Sequence, residues 1–303
     1  MCTAVALGGF FGRNLDLEGS MGEQLAVAPR RFPLPPQGLP GMELRYAVAG
    51  TALVREGFPL YFDAVNEAGL AMAGLDFPGG AHYRPRREGM VNVAPFALIP
   101  FVLGTCADVA EARRVLRGVN LWDEPFSPDL PLTPLHWMLA DRRGAALAVE
   151  PGPEGLRVLD APAGVLTNRP NLEEQMAHLA RFEGLTPADR GLGLPGDHSS
   201  PSRFVRTAFH RAHTPAPETG GEGLARCLRI LDCAAVPRGS SLRPDGRYRY
   251  TVYTSCCDLS RGDYFIATEE NRRLTGVSLG RTGEDRGLWV VEIPREQDVE
   301  WVD

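Results

Sequence analysis

Met1-Cys2-Thr3-Ala4-Val5-Ala6-Leu7-Gly8-Gly9-Phe10-Phe11-Gly12-Arg13-Asn14-Leu15-Asp16-Leu17-Glu18 opens the chain. Two short strand-like runs, Thr3 to Gly9 and Phe10 to Glu18, meet at the glycines Gly8 and Gly9, which read as a tight turn. The chain therefore begins inside a sheet, and the hairpin folds Arg13 and Asp16 back toward Cys2. Removal of Met1 before so small a residue leaves Cys2 with a free α-amino group beside its thiol. An α-amino group titrates at about 7.7 to 8.0 and a free thiol at about 8.5, so one residue then carries both nucleophile and base. A guanidinium beside the thiol favours its ionised form, and a carboxylate near the amino group orients it. Taken alone, a Met-Cys start also fits a chain in which residue 2 has no task. The Arg13 and Asp16 spacing equally fits a surface salt bridge on a hairpin.

Composition narrows the chemistry. All 32 of the Lys+Arg residues are Arg, so Schiff-base catalysis, a phosphate-loop lysine and a Ser-Lys dyad are excluded. A general base must be His, a carboxylate, Tyr, Cys or the chain's own amino terminus. With 303 residues, 44% hydrophobic and 23% charged, the chain can bury a large core as one or two domains. Its 34 Gly and 26 Pro favour turns and strands over a helical bundle. A net charge of −6 argues against nucleic acid as a partner. Neither an apolar run of membrane-spanning length nor a basic segment followed by an apolar stretch is visible, so a cytoplasmic protein without membrane association is expected.

The six cysteines, Cys2, Cys106, Cys227, Cys233, Cys256 and Cys257, form no C-x-x-C pair and read as reduced thiols. The six histidines are scattered and read as solvated or core residues, so neither a metal nor a cofactor is expected. Gly191-Leu192-Gly193-Leu194-Pro195-Gly196 satisfies G-x-G-x-x-G, but no strand of the required type precedes it, and it reads as a turn.

Four helices are predicted. Thr105 caps a run through Val109, Ala112 and Leu116, Asn171 with Glu174 opens a second, Ser200-Pro201 a third, and Leu224 to Leu231 mark a fourth. Strand-like runs lie at 145–150, 158–166, 248–256, 264–268, 275–279 and 288–293, with a hairpin turn at Ser260-Arg261-Gly262-Asp263. Pro29 to Gly41 reads as an extended surface loop. Clustered strands without a βαβ rhythm point to antiparallel sheets covered by helices.

Two more polar residues sit where a task is expected. Arg203 falls in the first turn of its helix, a position that costs a cation roughly 0.3 to 1 kcal/mol unless an anion compensates. Asn168 ends the apolar run Val165-Leu166-Thr167, from which an amide can donate to a developing oxyanion, although Asn is also commonplace before a turn.

Seven blocks in order resemble the choloylglycine hydrolase family of N-terminal-nucleophile hydrolases, which includes conjugated bile-acid hydrolases and penicillin V acylases. They are MCTAVAL, FGRNLDLE, NEAGLAMAGLDFPG, LPLTPLHWMLAD, GVLTNRP, GLPGDHSSPSRFVR and YTSCCDLSRGDYFIATEEN, and they span most of the chain. The resemblance implies an α+β fold, a four-layer αββα sandwich of two antiparallel sheets between helical layers, formed by a single domain over residues 1–303. It implies Cys2 as nucleophile, Arg13 beside its sulfur, Asp16 holding the α-amino group, Asn168 in the oxyanion hole and Arg203 as the second arginine. Asp76, in AGLDFPG, occupies a position near the oxyanion hole where the family more often has Asn.

The implied reaction is hydrolysis of a linear amide joining an apolar acyl group to a small polar amine. Conjugated bile acids and penicillin V are the family's main substrates, with N-acyl homoserine lactones as an alternative. A homo-oligomer, dimer or tetramer, is also implied, although the 171–190 segment is shorter than the bile-acid hydrolase extension that helps build a tetramer. A more distant alternative, a non-enzymatic thiol redox or metal-binding protein, would use the vicinal pair Cys256-Cys257.

Overall fold

The computed structural model describes residues 1–281 and 287–302. Fourteen strands build two large sheets. They are β1 (Cys2–Leu7), β2 (Phe10–Leu17), β3 (Gln24–Ala28), β4 (Val48–Arg55), β5 (Phe58–Asn66), β6 (Leu70–Asp76) and β7 (Leu135–Asp141). The remainder are β8 (Ala146–Gly152), β9 (Gly155–Asp160), β10 (Val165–Leu166), β11 (Tyr250–Asp258), β12 (Asp263–Thr268), β13 (Thr275–Ser278) and β14 (Trp289–Val291). The six-stranded sheet runs β10-β1-β2-β11-β12-β13 and the eight-stranded sheet β9-β8-β7-β6-β5-β4-β3-β14, with every neighbouring pair antiparallel.

Among the described residues five α-helices cover the outer faces: α1 (Leu98–Thr105), α2 (Val109–Leu116), α3 (Leu172–Leu179), α4 (Ser200–His213) and α5 (Gly220–Asp232). One core joins the inner faces of the two sheets and continues to α4 and α5 through Phe204, Ala208 and Cys227. A second lies between the eight-stranded sheet and α1 and α2, around Phe58, Trp137 and Leu103. The result is the expected four-layer αββα sandwich of antiparallel sheets.

The opening hairpin forms as read. Gly8 and Gly9 have φ of 50° and 87°, the left-handed region a two-residue turn demands and glycine supplies at least cost. The Asn171 side chain accepts from Glu174 N at 3.0 Å and donates to its carboxylate at 2.6 Å, capping α3. Helix α4 opens at Ser200 as read, with Ser199 before it as the cap. Three local assignments change. Thr105 is the last residue of α1, an unforeseen helix, and the cap of α2 is Asp108, which accepts from Glu111 N. The 158–166 run breaks into β9 and β10, because residues 161–164 turn the chain from one sheet to the other. The Pro29 to Gly41 loop buries Leu34 and Leu39 and pairs Pro33–Leu34 with Met42–Glu43.

Candidate active site

Pairing in the first hairpin places the polar residues before any other contact is made. Cys2 lies opposite Leu15, Ala4 opposite Arg13, and Thr3 opposite Asn14. Side chains alternate along a strand, so Cys2 and Arg13 share the face toward the second sheet while Thr3, Asn14 and Asp16 share the face toward the helices. The Cys2 sulfur and its backbone nitrogen are thus served from different sides of one strand.

On the inner face Arg13 Nη2 donates to Cys2 Sγ at 3.1 Å and to the Gly74 carbonyl at 2.9 Å. Arg13 is fully buried, and its charge is offset by Asp63 at 3.7 Å and by the Tyr253 hydroxyl at 3.2 Å. Burial opposes its charged form, but Tyr253, Cys2 and Asp63 together raise its pKa further above the ordinary arginine value.

On the outer face Asp16 accepts from Thr251 Oγ1 at 2.6 Å. Its other oxygen, Oδ2, is buried and without a hydrogen-bond partner. Burial pushes the Asp16 carboxyl above its usual range, against the pull of Arg203 and the amino terminus. Arg203 Nη1 lies 3.9 Å from Oδ2 and donates to the Cys2 carbonyl at 2.5 Å and to Thr3 Oγ1 at 2.6 Å. These acceptors, with the His198 carbonyl, offset the unfavourable end of the α4 dipole that the sequence position implied.

Asn168 is anchored between the sheets. Its Oδ1 accepts from Cys2 N at 2.6 Å and from Arg203 Nη2 at 2.8 Å, and its Nδ2 donates to the Asp76 carbonyl at 2.6 Å. Asp76 thus meets Asn168 through its backbone, and its side chain is half-buried at the end of β6. The structure brings together all six residues singled out in the sequence.

Sequence reasoning missed the supporting groups. Gln175 donates to the Asn168 carbonyl and accepts from Thr167 Oγ1, while His136 bonds the Thr167 carbonyl at 2.7 Å, holding the end of β10 from behind. Tyr253 and Thr251 reach opposite faces although they are two residues apart, because a bulge between them shifts the β11–β2 register. A strand pattern read with period two cannot show this.

The Met1 amino group donates to the Asp16 carbonyl at 2.8 Å, and burial lowers its pKa below the ordinary value. A cavity of 380 Å³ has mainly apolar walls, including Met21, Leu60, Phe62, Phe126 and Leu135, and none of the six site residues lines it. Leu135 is the β7 residue paired with Asp76. Among the described residues no group of three or more His, Cys, Asp or Glu is placed to hold a metal. Cys256 and Cys257 are free, buried and successive on β11, so their side chains leave the strand on opposite faces.

Residues 2–285 match the linear amide C–N hydrolases of the choloylglycine hydrolase family, and the chain belongs to that family. A bile salt hydrolase/transferase of Lactiplantibacillus plantarum is 38% identical over 300 residues, covering 92% of each chain. The solved C2A variant of the conjugated bile acid hydrolase from Clostridium perfringens superposes with a TM-score of 0.92 at 29% identity over the whole of both chains. The penicillin V acylase from Agrobacterium tumefaciens shares the fold, with a TM-score of 0.80 at 23% identity over 98% of this chain and 93% of its own. The protein is an N-terminal-nucleophile hydrolase that acts on linear amides. No helix among the described residues is long and apolar enough to cross a membrane.

Proposed function

We propose that the enzyme hydrolyses amides between a bulky apolar acyl group and a small polar amine, with Cys2 as nucleophile and, after loss of Met1, the Cys2 α-amino group as base. The observation that carries this reading is the convergence on Cys2: Arg13 at its sulfur, and Asn168 at its nitrogen beside an unpartnered Asp16 oxygen. While Met1 is attached, the Cys2 nitrogen is a peptide nitrogen and cannot take a proton. Once freed, it gains donors for which Asp16 Oδ2 and Asn168 Oδ1 are acceptors.

The thiol proton passes to the α-amino nitrogen as Sγ adds to the substrate carbonyl. An Asn carboxamide has two N–H donors; one is given to the Asp76 carbonyl, leaving the other for the tetrahedral oxyanion. The resulting ammonium protonates the leaving amine as the C–N bond breaks. Water then adds to the thioester, its proton taken by the same amine, and the C–S bond breaks, releasing the acid and a Cys2 thiolate that takes this proton back. Arg203 positions Asn168 and the Cys2 carbonyl.

Conjugated bile acids are the first substrates to test, because the Lactiplantibacillus plantarum relative is a bile salt hydrolase/transferase, the Clostridium perfringens one is a conjugated bile acid hydrolase, and the 380 Å³ apolar cavity suits a large acyl group. Penicillin V and N-acyl homoserine lactones have the same two-part form. Comparing amine release from the three classes separates them.

The same reading places the chain as one domain, since β1 and β6 contribute to a core shared by both sheets. Six free thiols support a cytoplasmic setting. A homo-oligomer, dimer or tetramer, is proposed from the family kinship.

The decisive experiment is Cys2→Ala in protein whose mass shows loss of Met1 from the parent. Turnover is expected to vanish with the fold intact, and substantial remaining hydrolysis would remove Cys2 as nucleophile.

A further inference from the structure

Behind Arg13 lies a buried polar network that the reaction scheme above does not use. Asp63, on β5 of the eight-stranded sheet, is 2% exposed and crosses to the other sheet. Its Oδ1 accepts from Tyr253 Oη at 2.7 Å, and its Oδ2 accepts from Ser255 Oγ at 2.6 Å and Tyr264 Oη at 2.8 Å. Tyr264 Oη is in turn 2.6 Å from Thr51 Oγ1. The Tyr253 hydroxyl, which donates to Asp63, accepts from Arg13 Nη1, whose partner nitrogen Nη2 donates to Cys2 Sγ. A continuous path therefore runs from the Asp63 carboxylate to the sulfur.

Two bulges aim this network. The β4–β5 register shifts between Thr51 and Ala52, so Asp63 faces the other sheet while Tyr61 faces away, and the β11 bulge turns Tyr253 toward it. Burying a carboxylate under three hydroxyl donors for packing alone is a costly design, since apolar residues of the same volume fill such space at no electrostatic cost.

We propose that Asp63 is a positioning residue for the reaction at Cys2, acting through Tyr253 and Arg13 and setting how readily the sulfur ionises. This rests on the reading of Cys2 as nucleophile. The charged and titratable groups facing Asp63 are Arg13 from β2, Tyr253 and Cys257 from β11 and Tyr264 from β12. Those facing Cys2 are Arg13, Arg203, Asp16 and the amino terminus. Two guanidiniums and two carboxylates balance while the thiol and the amino terminus are both neutral. Removing the Asp63 charge leaves Arg13 uncompensated 3.1 Å from Sγ, which favours the thiolate.

The test measures iodoacetamide alkylation of the mature protein against pH, corrected with Cys2→Ala for the other cysteines, together with kcat and KM for amide hydrolysis. In Asp63→Asn, which keeps the shape, the pH of half-maximal alkylation is expected to fall by about one unit, a tenfold rate gain below it. In Tyr253→Phe, which keeps the charge, that pH stays while kcat falls at unchanged KM. A purely structural role would lower the melting temperature of both variants without moving the alkylation profile or kcat. A folded Asp63→Asn with the parent profile overturns the proposal. If that variant does not fold, Tyr253→Phe decides, with lowered kcat supporting the proposal and parent kcat overturning it. Hydrolysis by Cys2→Ala would instead remove the nucleophile assignment, a separate outcome in the same experiment.

Discussion

Arg203 Nη2 donates at 2.8 Å to the same Asn168 oxygen that accepts from Cys2 N. An amide oxygen holding two donors cannot exchange places with its own nitrogen, so the Asn168 Nδ2 group is fixed toward Asp76 and the substrate side. A side chain from the first turn of α4 thereby sets the orientation of an amide at the end of β10, across 35 residues of sequence.

Asn168→Ala removes the proposed oxyanion donor. An interaction of this type is worth about 2.7 to 4 kcal/mol in the transition state, so kcat is expected to fall by roughly 10² to 10³. Steady-state kinetics with a conjugated bile acid checks this, and an unchanged rate takes Asn168 out of the oxyanion hole.

Glu23 supplies a pH test of stability. Burial raises its pKa, but hydrogen bonds from backbone N–H groups, Arg295 and Ser20 outweigh this and leave it below the ordinary value. A carboxyl depressed in the fold stabilises above its unfolded pKa, about 4.3, and loses that contribution as pH falls through the folded value. Glu23→Gln should therefore cost about 1 to 3 kcal/mol at pH 7 and progressively less below pH ~4. Urea unfolding at both pH values measures the difference, and an equal loss at pH 3 would contradict it.

Gly50 is required by close approach. A Cβ there would lie 2.2 Å from the Asp63 carbonyl and 2.6 Å from Ala64 Cα, both backbone atoms of the paired strand. Gly50→Ala should lower stability by about 3 kcal/mol, read as a fall in melting temperature.

With no lysine, the mature chain has one primary amine, its N-terminus. Amine-directed labelling of native enzyme should inactivate it in proportion to a single modification. Full activity in completely labelled protein would exclude the terminal amine as base.

The first hairpin was legible because Gly8-Gly9 and two apolar runs mark it locally, and α3 because Asn171 and Glu174 lie one turn apart. Strands β4 to β6 were not, because both faces of that sheet are covered and runs such as Leu70 to Leu75 are apolar throughout, leaving no alternation to read. Helix α1 escaped for the same reason: seven of its eight residues are buried, and it carries Pro100 and Gly104. The six site residues carried chemical signatures or family blocks. Asp63 carried neither, and Tyr253, the first residue of the last family block, showed no task there, since the two meet across 190 positions and two bulges.

Strand β1 lies inside its sheet between β2 and β10, and Cys2 bonds partners 166 and 201 residues away. The surroundings of Cys2 therefore exist only after the chain has closed on itself. Such distant pairings carry a large loop-closure cost and form slowly. Recovery of activity on refolding should thus lag behind recovery of secondary structure, and chains ending before residue 203 should have no activity at all.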